Sequence, residues 1–337
     1  MTVKNIQILL RAESKPKEER SPLTPEGARQ LRASGYTVTV ERSSLRVFRD
    51  AEYEAVGCEL VDAGSWRKAP KETIVLGLKE LPEAKHPLTQ RHIYFAHAYK
   101  NQQGWKQILA RFKEGQGTLL DLEYLVDDNS RRVAAFGYWA GYVGAAVGIN
   151  TWAHRRLRAA DPLLELRSWP SKTALLEHLG PQLESAVTAG APRPTALVIG
   201  AKGRCGRGAC ELLESLGVAV TRWDMEETKN GGPFPEILNH DLFVNCVLVS
   251  SRIPAFLTPE LIQGPRRLSV IADVSCDPTG PYNPLPIYST TTDFASPTTV
   301  AAPATAEAPQ LEVVAIDHLP SLLPRESSED FCAVSYT

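Results

Sequence analysis

Two groups of residues in this sequence have types and spacings suited to chemistry. The first is a set of polar side chains, each just beyond a short apolar run. Lys15 and Arg20 follow residues 6–10, Lys79 and Glu80 follow 73–78, His97 follows 93–96, and Asp121 with Glu123 follow 118–120. Such runs read as strands, and in an open parallel sheet ligands bind beyond the strands' carboxyl ends. Side chains far apart in sequence then collect along one edge, where an amine or imidazole can move protons and cations can hold carboxylates. A lone charge at a strand end is ordinarily a solvated loop residue; several on one edge suggest a ligand. The second group is the glycine series 200, 203, 206 and 208, between the apolar run 196–199 and a helical pattern over 209–216, with a further strand over 218–223 ending in Asp224. Glycines let backbone N–H groups approach a pyrophosphate, the helix N-terminus adds positive charge, and an acid closing the next strand accepts from a ribose hydroxyl. A carboxylate there repels a 2′-phosphate, so the expected cofactor is NAD rather than NADP.

The elements that must position these groups alternate along the chain. Thr24 is expected to cap a helix with Pro25 at its first position and Gly35 beyond its end, and residues 36–41 alternate as a half-buried strand. A helix over 101–112 lies between the runs 93–96 and 118–120. Residues 133–153 carry no charged side chain and place Gly137, Gly141, Gly144 and Gly148 on one helical face. A buried helix pressed against another backbone is expected there rather than a membrane span. A helix over 171–188, the glycine unit, strands over 242–248, 268–274 and 311–316, and a helix near 259–263 complete a second such unit. The expected fold is α/β: two Rossmann-like, doubly wound parallel-sheet domains with a cleft between them. Residues 133–317 form the cofactor domain, and residues 1–132 with 318–337 form the substrate domain.

At 337 residues and a net charge of −2, the chain has room for two cores and shows no sign of a nucleic-acid or membrane partner. The N-terminal apolar run is too short for a signal peptide, so a cytoplasmic location is expected. The six cysteines, with no zinc spacing, are expected as free thiols. Cys205 in the glycine turn and Cys246 near the end of a neighbouring strand are placed to approach one another, and a redox-sensitive disulfide between them is one expectation. No metal site is expected.

Several stretches carry a more specific signal: RAESKP (11–16), GLKELPE (77–83), YFAHAYKNQQGW (94–105), LLDLEYL (119–125), RRVAAFG (131–137), VIGAKGRCGRG (198–208), WDMEET (223–228), DVSCDP (273–278) and IDHLPSLLPRE (316–326). In this order they resemble the fungal saccharopine dehydrogenases, NAD-dependent and lysine-forming, of the alanine dehydrogenase/transhydrogenase-like fold. The resemblance implies small-molecule substrates (saccharopine, L-lysine and 2-oxoglutarate) and a monomer. It implies Lys79 as acceptor of the amine proton and His97 as activator of water, since imidazole titrates near neutrality, with Lys15, Glu80 and Glu123 in support. Arg20, Gln102, Arg132, Phe136, Ser275, Cys276 and Asp277 fall at substrate-binding positions. Arg131, Gly200, Gly203, Arg204, Asp224, Thr228, Leu248, Val274, Ile316, Asp317, His318 and Leu319 fall at cofactor-binding ones. Arg131 and Arg132, read as the start of a helix, sit unfavourably at the positive end of its dipole unless an anionic ligand is near. The likeness ends near Glu326, so the family's helical return onto the first domain is expected to be truncated. Two further readings stay open: an alanine-dehydrogenase-like enzyme, and an NAD-binding remnant without activity.

Overall fold

The computed structural model describes residues 6–99, 104–130, 132–158, 161–247, 249 and 251–335. The expectations on Gln102, Arg131 and Leu248, and the expected start of a helix at Asn101, lie outside the described residues. The chain divides into two compact units, one made of the residues up to Phe136 together with those from Pro324 on, the other of Gly137–Leu323.

The first unit contains β1 (Gln7–Leu10), α1 (Pro25–Ala33), β2 (Thr37–Glu41), α2 (Asp50–Ala55), β3 (Glu59–Val61), β4 (Ile74–Leu76), β5 (Arg91–Tyr94), α3 (Trp105–Gly115) and β6 (Thr118–Asp121). Its sheet runs β3-β2-β1-β4-β5-β6 and every pairing is parallel. Strand order reverses between β1 and β4, where a doubly wound sheet opens a crevice beyond its carboxyl edge. The loops leaving these two strands carry Lys15, Arg20 and Lys79. α1 starts as the sequence requires: the Thr24 hydroxyl accepts from Gly27 N at 3.0 Å, and Gly35 takes φ +91° beyond the end.

The second unit contains α4 (Gly137–Leu157), α5 (Lys172–Thr188), β7 (Thr195–Ile199), α6 (Arg204–Ser215), β8 (Ala219–Trp223), α7 (Met225–Thr228), β9 (Leu242–Asn245), β10 (Val270–Asp273), β11 (Thr299–Ala302) and β12 (Leu311–Val314). Its sheet runs β11-β12-β10-β9-β7-β8, parallel except for the antiparallel edge pair β11 and β12. α4 is buried from Gly141 to Ala153. A Cβ on Gly141 would overlap the carbonyl of Cys205, and one on Gly208 would overlap that of Tyr138. The glycine face is therefore pressed on another backbone, the first turn of α6, at Gly141, while Gly144 and Gly148 face the side chains of Val274 and Leu242. No helix among the described residues is long and apolar enough to cross a membrane.

The chain then returns to the first unit as α8 (Pro324–Ser335). Phe331 stacks on Phe136 with centroids 4.7 Å apart, the Ser328 hydroxyl accepts from Ser21 N at 2.9 Å, and Cys332 is buried against Thr24.

Some boundaries differ from expectation. α6 starts at Arg204 rather than 209, because Gly206 and Gly208 are spent on packing and need not form a loop. The helix expected near 259–263 is a single 3-10 turn at Leu261–Gln263, and the strand expected over 242–248 ends at Asn245. β3, α2 and β11 have no counterpart in the expected element order.

Candidate active site

In the first unit, β4 and β5 continue to pair past their ends: Gly77 N donates to Ile93 O at 2.9 Å and Phe95 N to Leu78 O at 3.1 Å. Lys79 and His97 therefore leave the carboxyl edge from adjacent, registered chains. The Lys79 backbone is gripped from the end of β1. Glu13 accepts from Leu78 N at 2.7 Å and from Lys79 N at 3.0 Å, while the buried Arg11 donates to Lys79 O and lies 3.4 Å from Glu13. Gly77 allows this approach, since a Cβ there would overlap the Arg11 guanidinium.

The Lys79 amine is half-buried among charges. Burial first, then the Arg20 and Lys15 cations, push its pKa below 10.5, against a smaller opposing pull from Glu18 and Glu80. A neutral amine is thus reached at lower pH than for a free lysine. Glu18 is 1% exposed and forms a two-bond pair with Arg20 at 2.8 and 2.7 Å. Burial acts to raise its carboxyl, but Arg20 and Lys79 outweigh it, so Glu18 stays below its ordinary range. Removing one member of this pair would strand a buried charge at a cost of about 3–5 kcal/mol. Arg20 lies 4.5 Å above the Phe136 ring. Its fork, expected as a bidentate substrate clamp, is taken by Glu18, so only its remaining N–H groups are available to a ligand.

His97 sits on the next loop in the left-handed region, φ 49°. Asp121, closing β6, accepts from Ala96 N at 3.1 Å and Ala98 N at 3.2 Å, on either side of the histidine, and from Glu123 N at 3.1 Å. Glu123 Oε2 lies 3.7 Å from His97 Nδ1 and 2.6 Å from an Arg132 nitrogen. The imidazole stacks on Phe95, which also contacts Phe136. His97 lines a cavity of about 740 Å3 with Glu80, Leu81, Tyr94, Trp105 and Ile108 among its walls. The helix-start reading of Arg132 is corrected: α4 begins only at Gly137, Arg132 bridges Val126 in antiparallel fashion, and Glu123 supplies its counter-charge. Lys15, Arg20, Lys79, Glu80, His97, Glu123, Arg132 and Phe136 thus share one edge. Asp121 was expected at this edge, though with no role assigned to it; Arg11, Glu13 and Glu18 were not expected as site residues. Their signal was the cluster of charges immediately after an apolar strand, in RAESKPKEER.

In the second unit the expected cofactor positions follow the carboxyl ends of successive strands: Gly200 and Gly203 after β7, Asp224 after β8, Val274 to Asp277 after β10, Ile316 to Leu319 after β12. Gly200 has φ +84°, and a Cβ there would lie 2.9 Å from Val247. A Cβ on Gly206 would overlap the Gly200 carbonyl. Gly203 is the N-cap of α6 and brings no side chain to cap it, so the helix start can face an anion. Asp224 accepts from Lys202 N and Met225 N, both at 2.9 Å. The same carboxylate also accepts from Glu227 N in a capping box, so of its about four acceptor sites one remains for a ribose hydroxyl. The cradle fits a dinucleotide. Thr228 turns its hydroxyl onto Asp224 O at 2.8 Å.

Just before Ser275, Cys276 and Asp277, the buried Asp273 accepts from Asn245 at 2.9 Å, Tyr288 at 2.7 Å and the Ser275 backbone. Burial, with Asp273 and Asp317 nearby, pushes the Cys276 thiol up to about 12. Asp317 pairs with His318 at 2.7 Å, and His318 lies against Phe294. Cys205 and Cys246 lie together as free thiols, and burial holds Cys246 well above the ordinary thiol range.

The family described as alanine dehydrogenase/PNT, N-terminal domain, matches residues 9–143. Among solved structures the fold is similar to an L-alanine dehydrogenase, with TM-score 0.65 and 16% identity over 98% of this chain and 88% of that one. It is also similar to a transhydrogenase from Sinorhizobium meliloti, with TM-score 0.62 and 16% identity over 98% and 92%. The sequence is 51% identical over 328 residues to a saccharopine dehydrogenase (NAD+, L-lysine-forming) of Schizosaccharomyces pombe, spanning 96% of this chain and 89% of that one. It is 50% identical over 331 residues to the enzyme of the same name from Yarrowia lipolytica, spanning 97% and 89%. On that likeness, sustained along nearly its whole length, the chain belongs to the saccharopine dehydrogenase (NAD+, L-lysine-forming) family.

Proposed function

We propose that this chain converts saccharopine, NAD+ and water to L-lysine, 2-oxoglutarate, NADH and a proton, reversibly, with the first unit holding the substrate and the second the cofactor. When bound, NAD+ supplies the hydride acceptor. The chain's own residues do the rest. Lys79 takes the proton of the secondary amine as the substrate carbon–nitrogen bond is oxidised to an imine, and its depressed proton affinity lets it do so at lower pH than a free lysine would. His97 takes a proton from the water that adds to the imine and returns one to the nitrogen as the carbon–nitrogen bond breaks, freeing L-lysine and leaving the carbonyl of 2-oxoglutarate, and Glu123 sets the charge beside it. Arg132 and the remaining N–H groups of Arg20 hold substrate carboxylates. The cavity beside His97, with Leu81 and Ile108 in its walls, gives room for the four-methylene lysyl arm. Gly200, Gly203, Arg204, Asp224, Val274 and the segment Ile316 to Leu319 hold the dinucleotide.

One observation carries this reading: a crowded, half-buried amine and an imidazole with a carboxylate leave adjacent strands at the same sheet edge. Purified protein should oxidise NADH only when 2-oxoglutarate and L-lysine are both present. Oxidation with pyruvate and ammonia instead would move the reading to an alanine-dehydrogenase-like enzyme. Cofactor binding without turnover would make the chain a non-catalytic relative. We also infer that it acts as a cytoplasmic monomer without a nucleic-acid or membrane partner; light scattering of the purified chain tests the monomer.

A further inference from the structure

We propose that Glu13 and Asp121 are positioning residues, each a carboxylate from a neighbouring strand end that grips the backbone of one acid–base residue and sets the direction in which its side chain leaves the loop. This rests on the reading of Lys79 and His97 given above. Loop N–H groups are ordinarily left to water. Here the N–H groups of Leu78 and Lys79 converge on one side chain, Glu13, at 2.7 and 3.0 Å, and that side chain is 6% exposed. Arg11, at 3.4 Å from Glu13, closes the ring through the Lys79 carbonyl. Both backbone polar groups of Lys79 are therefore held from β1.

Asp121 repeats the device from β6. Its two oxygens take Ala96 N and Ala98 N, so the grip spans His97, a side-chain-bearing residue held at φ 49°. That conformation is rare for an L residue and persists where its surroundings over-determine it. The same carboxylate takes Glu123 N, which places the acid 3.7 Å from the imidazole. The polar bonds of Glu13 and Asp121 described here are directed into the protein, to backbone N–H groups and Arg11, so they act through the residues they hold. A carboxylate is suited to the task because it offers two acceptors; an isosteric amide keeps one and turns an NH2 donor toward the other N–H.

Double-mutant cycles test this. Asp121→Asn should lower kcat by about 10²-fold, the scale of a misplaced catalytic group, with the KM for NAD+ unchanged. In a His97→Gln background the same change should cost less than about twofold, because nothing remains to be aimed. Glu13→Gln should behave likewise in the native chain and in Lys79→Met. Equal fold-losses in both backgrounds, no loss in the native chain, or failure of these isosteric variants to fold would each overturn the proposal. If His97→Gln and Lys79→Met themselves turn over at the native rate, the assignment of the acid–base pair fails instead. If those two are slow while the cycles are additive, only the positioning role falls.

Discussion

The carboxyl edges of the two parallel sheets work by opposite means. In the first unit the groups that matter are side chains: an amine among cations, an imidazole beside a carboxylate, and charged partners that hold their loops. In the second unit the glycine turn after β7 is built chiefly from backbone, with glycines where a Cβ would collide, an uncapped helix start and Asp224 at the end of the next strand. Chemistry on a substrate needs groups whose proton affinity can be tuned, and only side chains supply these. Recognition of a pyrophosphate needs close approach by N–H groups, and a side chain is an obstacle to it. On the function proposed above, one topology serves two purposes, depending on what the loops after its strands are made of.

The comparison breaks most sharply at the acid–base pair. Lys79→Met and His97→Gln should each lower kcat by roughly 10²–10⁴ while NAD+ affinity stays near native, as read by steady-state rates and NADH fluorescence titration. If instead cofactor affinity collapsed, the division of labour between the units would be wrong. Next in size, Gly206→Ala forces a methyl into the Gly200 carbonyl. Such overpacking should destabilise the second unit by about 1–3 kcal/mol, seen in thermal unfolding, and should weaken NAD+ binding. The same exchange at Gly104, where a Cβ meets nothing within 4 Å, creates no collision, although its φ of +88° brings backbone strain. Asp224→Ala removes the ribose acceptor and should cost about tenfold in NAD+ affinity while relaxing discrimination against NADP, measured as the ratio of the two kcat/KM values.

The smallest effect sharpens the first unit's side. Lys15 is one of the cations that depress Lys79. Removing it in Lys15→Ala raises the Lys79 pKa, so the neutral amine forms only at higher pH. The acid limb of the kcat/KM profile for saccharopine oxidation should therefore move to higher pH by under about one unit. An unmoved acid limb would show that burial and Arg20 set this amine without Lys15.

Much of this was legible from local pattern. Thr24, Pro25 and Gly35 mark α1 because capping is chemistry among neighbours in sequence. The unit from Thr195 to Asp224 reads as strand, turn, helix and strand for the same reason. Arg20 shows the limit. A free guanidinium fork reads as a substrate clamp, but the fold places Glu18 against it, and which acid meets which cation is a matter of loop geometry. The start of α6 was missed because glycines 206 and 208 look like loop residues until α4 is seen to press on them. Arg132 was misread for a similar reason: only the observed start of α4 shows that it precedes the helix and faces Glu123.

By itself the sequence determined the periodicity of the strands, the caps, the glycine turn with its acid, and the placement of charges just past apolar runs, because each depends on residues a few positions apart. Only the tertiary structure decided that Glu13 would reach Lys79 and Asp121 would bracket His97. Those partners come from different strands, and a loop's N–H groups find their acceptors only once the sheet has brought distant chain ends to a common edge.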